Sequence, residues 1–171
     1  TNNWKHSFNK KMNEGLKLNT IPFVNLPAHN PVRIERYPDY VYHRIRIVQE
    51  LMKMEVKEDD VVFASEPLSN NLNEVIWILR LIKYSKIPIY SYFHGSAYLT
   101  GDFVNIYAPW IKHFEQVWMD KSAKIVVQSK YAKTGLCKFF RQGRSFEELE
   151  KKIQVVGFPL PIEEIEKEKV E

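Results

Sequence analysis

Short runs of β-branched and aromatic residues alternate along this chain with longer stretches whose apolar residues recur three and four apart. The runs are Ile21–Leu26, Val61–Ser65, Ile87–Phe93, Lys124–Gln128 and Ile153–Gly157. They are nearly continuously apolar, the pattern of strands covered on both faces. Between them, Tyr40–Met54 puts Val41, Ile45, Val48, Leu51 and Met52 on one helical stripe, with Arg44, Arg46, Glu50 and Lys53 largely off it. Leu68–Tyr84 carries Leu72, Val75, Ile76, Leu79 and Ile82, with Ser69 and Asn70 as candidate caps. Asn105–Asp120 and Lys130–Phe140 are also of helical length, and Ser145 with Glu148 forms a capping-box signature for a helix ending near Lys152. Helical crossovers between strands make the neighbouring strands parallel and the connections right-handed. The pattern predicts an α/β fold with a doubly wound parallel sheet.

At 171 residues the chain is long enough for one domain with a sizeable core. Its 44% hydrophobic and 27% charged residues exclude disordered and collagen-like classes. Cys137 is the single cysteine, which excludes an intramolecular disulfide and a cysteine-rich zinc site. No apolar stretch approaches the ~20 residues a membrane span needs, and no signal-peptide pattern stands at the front. We expect a cytoplasmic protein, free or at a membrane surface. The net charge is +4, but it is unevenly spread: Lys121 to Arg144 holds seven basic residues and no acidic one, whereas Ile162 to Glu171 is rich in glutamate. Such a basic surplus attracts phosphates or nucleic acid, or simply forms a solvated surface.

The opening Trp4–Leu18 is helix-like with no strand ahead of it, and Val155–Pro159 reads as a strand running into a turn before the acidic segment. These ends suggest a lobe of a longer polypeptide, with residues 1–161 as the lobe and 162–171 as a helix-prone tail or the start of a linker. A complete small domain with a helical start is the alternative.

Ligands of open α/β sheets bind beyond the carboxyl ends of the strands. There the sequence nominates His94, Gly95 and Ser96 after one strand, Glu66 after another, and Ser129 with Lys130 after a third. An imidazole exchanges protons near neutral pH, and a glycine beside it lets backbone approach a ligand. Glu66 can accept from a sugar hydroxyl or an amine. Ser129 and Lys130 stand where a helix start favours an anion, although a serine there also caps its own helix. Each residue equally has a structural use, His94 as a packed loop residue and Glu66 as an exposed loop carboxylate. The glycine-rich dinucleotide fingerprint, the phosphate loop and the Gly-x-Ser-x-Gly elbow are all absent. His6, His29, His43, His94 and His113 lack metal-ligand spacing, so no metal is expected. Cys137 falls on the apolar side of its helix and reads as core.

Tyr92-Phe93-His94-Gly95-Ser96, the helix with Phe114-Glu115 and Trp118, the segment Lys121–Tyr131 containing Val126-Val127-Gln128-Ser129-Lys130-Tyr131, and Val155-Val156-Gly157-Phe158-Pro159 follow one another in order. This series, from about Asp59 to Pro161, resembles the amino-terminal, Rossmann-like lobe of GT-B glycosyltransferases, particularly the retaining group 1 or family 4 enzymes. The resemblance implies an acceptor-binding lobe, with a nucleotide-sugar donor held mainly by a second lobe and transfer in the cleft between. It implies His94 as the catalytic-cleft residue near the acceptor or transferred sugar, Gly95 and Ser96 as cleft lining, and Glu66 and Ser129 as neighbours. No cofactor beyond the donor is implied. The family's first strand with its glycine-rich turn is not here, nor is a second lobe, so this chain is not expected to transfer sugar by itself. Two other readings remain: a non-catalytic Rossmann-like module for a phosphorylated ligand or partner, and an RNA-binding domain using Lys121–Arg144.

Overall fold

Four of the apolar runs form strands, and all four are parallel. The computed structural model describes residues 11–17, 22, 24, 37–65, 67, 72–102, 104–105, 108–140 and 143–157. Contacts divide the chain into two units, Leu26–Val156 and a second made of Thr1–Asn25 with Gly157–Glu171. In the second unit residues 11–17 are helical, within the expected Trp4–Leu18, and Lys11 pairs with Glu14 at 3.6 Å. The expected strand Ile21–Leu26 lies largely outside the described residues, as do Glu66, Ser69, Asn70 and the segment 162–171.

The larger unit reads α1 (Tyr37–Lys53), β1 (Val62–Ala64), α2 (Leu72–Trp77), a π-helical turn (Ile78–Ile82), β2 (Ile89–Phe93), α3 (Ala108–Lys121), β3 (Lys124–Val127), α4 (Lys130–Phe139), α5 (Phe146–Lys152) and β4 (Ile153–Val155). The sheet order is β1-β2-β3-β4. This is an α/β fold with a parallel sheet flanked by helices, consistent with a Rossmann-like doubly wound architecture. Each crossover steps to the next strand in the same direction, and right-handed connections send such crossovers to one face. The reversal of strand order that marks a switch point is not among the described strands.

Register shows how the sheet is covered. Ile89 pairs with Val62, Ser91 with Ala64 and Ile125, and Phe93 with Val127; Ile153 pairs with Ile125. Residues in register share a face, and on this face all are buried except the half-buried Val62 and, on the edge strand β4, the exposed Val155 that pairs with Val127. The opposite face carries Phe63, Tyr90, Tyr92, Lys124, Val126 and Gln154, and only Tyr92 is buried there. Burial therefore alternates more than the continuous apolar runs suggest. A run such as Tyr90-Ser91-Tyr92 hides this, because tyrosine scores as apolar yet tolerates partial exposure.

Helix α1 corrects another expectation. Ile47 and Leu51 are buried, whereas Ile45 and Met52 are exposed. The helix is apolar on more than one side, so spacing alone does not choose the stripe that meets α2. The expected single helix Leu68–Tyr84 becomes α2 followed by the π-helical turn, in which Lys83 N–H donates to Ile78 O at 2.9 Å. Arg80 anchors this turn to the approach of β2 by donating to Ser85 O at 2.7 Å and Ile87 O at 2.8 Å. The capping box of α5 forms as expected: Ser145 Oγ accepts from Glu148 N at 3.1 Å, and Glu148 Oε2 accepts from Ser145 N at 2.8 Å.

Candidate functional site

Because the strands are parallel, their carboxyl ends share one rim. β2 ends in Phe93 and delivers His94-Gly95-Ser96-Ala97 there; β3 ends in Val127 and delivers Gln128, Ser129 and Lys130. Gln128 Nε2 donates to His94 O at 2.8 Å, a direct tie between the two strand tips. Gln128 Oε1 is buried without a partner in the protein.

His94 is half-buried, and its ring stacks on Tyr92 with centroids 6.4 Å apart and planes 20° apart. Beside it is a cavity of about 20 Å³, room for one water, lined by Pro67, Phe93, His94, Gly95, Val104, Ile111, Glu115 and Trp118. A sugar does not fit inside such a space, so any ligand of that size lies on the open rim.

Gly95 is required by a close approach, but one within the protein. A Cβ at this position would stand 2.9 Å and 3.0 Å from the carboxylate oxygens of Asp102 and 3.2 Å from Val104 Cγ2. Asp102 is itself held in place, accepting from Ser96 N at 3.2 Å and Val104 N at 3.0 Å. Ser96 is fully buried: its hydroxyl donates to Glu115 Oε2 at 2.9 Å and accepts from Tyr98 N at 3.1 Å. It braces the loop from inside instead of lining the cavity. Ser129 accepts from Ala132 N at 3.1 Å and so caps α4, while Lys130, the first residue of that helix, is exposed.

Glu115 on α3 enters the sequence resemblance only beside Phe114, with no role of its own, and the structure gives it one. It is 2% exposed. Oε1 accepts from Ala97 N at 2.9 Å while Oε2 takes the Ser96 hydroxyl. Burial pushes its carboxyl from the ordinary 4.5 up to about 7; the bonds from Ala97 and Ser96 oppose that shift, Asp102 adds to it and Lys112 reduces it. A signal was present in the sequence, since Glu115 occupies the buried stripe of α3 between Ile111 and Trp118. An acid at such a position needs a partner for its charge.

The basic stretch is partly spent inside the fold. Lys124 Nζ donates to Lys151 O at 2.8 Å, Lys133 Nζ to Glu150 O at 2.9 Å, and Arg144 pairs with Asp120. Cys137 is buried, and burial raises its thiol pKa, as suits a core residue. Among the described residues, no three His, Cys, Asp or Glu side chains are grouped to hold a metal, and no helix is long and apolar enough to cross a membrane. Set against protein-family models, curated proteins and solved structures, the chain has no match in any of the three.

Proposed function

We propose that this chain is the acceptor-side lobe of a retaining glycosyltransferase that uses a nucleotide-sugar donor. The observation that carries the reading is His94: an imidazole at the carboxyl end of a parallel strand, half-buried beside a cavity and tied by Gln128 to the next strand tip. In this reading the bond from the anomeric carbon to the diphosphate breaks, and a bond to an acceptor hydroxyl oxygen forms. The acceptor's proton leaves with the departing diphosphate. His94 orients the sugar or the acceptor by hydrogen bonding across the rim. The donor is held mainly by a second lobe, whose closure excludes water and strengthens the stabilisation of charge on the leaving group.

The test uses the full polypeptide carrying this sequence, with UDP-glucose, UDP-N-acetylglucosamine and GDP-mannose as probes. Release of the nucleoside diphosphate is followed with and without added acceptors. His94→Ala is expected to lower release by about tenfold or more while the melting temperature stays in place. Unchanged release removes His94 from the site. Absence of both binding and turnover of every probe, with binding of another anion, turns the assignment to the non-catalytic module.

A further inference from the structure

The chain leaving β2 is shaped by a buried carboxyl group that belongs to a different element. Glu115 receives the Ser96 hydroxyl on one oxygen and the Ala97 N–H on the other. Asn105 Nδ2 holds Ala97 O at 2.8 Å, so both polar groups of the Ala97 backbone are secured by side chains. Asp102 closes the loop from the other side through Ser96 N and Val104 N. The segment from His94 to Ala97 therefore has its direction set from outside itself. A neutral apolar residue at 115 would fill the stripe between Ile111 and Trp118 at lower desolvation cost, but it would leave two buried donors without acceptors.

We propose that Glu115 is a positioning residue for the His94 rim, its carboxyl group holding Ser96 and Ala97 so that the end of β2 keeps one shape. That sugar transfer takes place at this rim rests on the preceding reading; that Glu115 shapes the rim does not. The charged and titratable groups around the carboxyl are Asp102 and Tyr98 from the loop, Lys112 one turn earlier on α3, and His94 on the same cavity. In the ionised form both oxygens accept. In the protonated form one oxygen still accepts from Ala97 N, and the other donates to Ser96 Oγ, which has lone pairs for both this proton and Tyr98 N–H. Glutamine at 115 reproduces the protonated arrangement, whereas alanine reproduces neither.

The test is made on the full chain with isotope-labelled backbone. The Ala97 amide resonance of the wild type is expected to shift with pH around a midpoint of about 7, and in Glu115→Gln to stay flat. In Glu115→Ala the Ser96 and Ala97 amides exchange with solvent at least about tenfold faster, and diphosphate release falls by up to about a hundredfold. Glu115→Gln restores both. An Ala97 amide that exchanges with solvent in the wild type as fast as an open loop amide overturns the proposal, even if the alanine variant fails to fold. A folded alanine variant with normal protection overturns it as well. If the amide results appear as expected but no nucleotide sugar is turned over by the wild type, the sugar-transfer reading fails and Glu115 keeps its role.

Discussion

Two strand tips share the rim and are held by opposite means. At the tip of β3 the helix start is closed locally: Ser129 caps the helix it begins through a bond three residues long. The tip of β2 is closed from a distance, by Glu115 reaching back from 18 residues later in the chain. A local cap stabilises only its own helix. A distant carboxylate couples a whole loop to the packing of another helix and adds a charge that must be desolvated. The difference suggests that the β2 tip holds a shape that local backbone preferences would not keep.

The strongest way to separate the tips is pH. Glu115 has its carboxyl pKa raised by folding from 4.5 to about 7, so the folded state favours the protonated form. Its contribution is complete below about pH 4.5 and is lost as pH rises through about 7. The loss amounts to about 3 kcal/mol, read as a falling denaturant midpoint. Glu115→Gln should remove that slope, and a slope left intact would show that another group causes it. Nothing comparable is expected from the Ser129 tip. Next in size is Gly95→Ala, where the new methyl meets a carboxylate that Ser96 and Val104 keep from moving. A cost of about 2 kcal/mol is expected in unfolding experiments, and a neutral result would mean that the loop yields easily. Ser129→Ala should cost about 1 kcal/mol and leave the exchange protection of Ala97 unchanged. A loosened Ala97 would show that the Ser129 cap acts on the β2 tip through the Gln128–His94 tie.

How far these features were legible follows the same division. The α/β class, the parallel strands, the Ser145 capping box and the capping use of Ser129 are all written in neighbouring residues, and they could be read. The side of α1 that meets the core was misread because Ile45 and Ile47 are equally apolar, and only contact with α2 distinguishes them. The role of Ser96 could not be read either. Its partner Glu115 is far along the chain, and a Gly-Ser pair after a strand looks the same whether it faces a ligand or a buried acid. The half-exposed second face of the sheet was hidden because Tyr90 and Val126 extend the apolar runs without being buried.

One contact also links the two tips through their apolar parts. On α4, a Cβ at Gly135 would stand 2.4 Å from Leu99 Cδ2, the leucine that follows the braced turn. Neither position can change freely while the other stays as it is. A side chain at 135 makes the end of the buried Leu99 move aside, so a shorter residue at 99 should offset part of the cost of a bulkier one at 135.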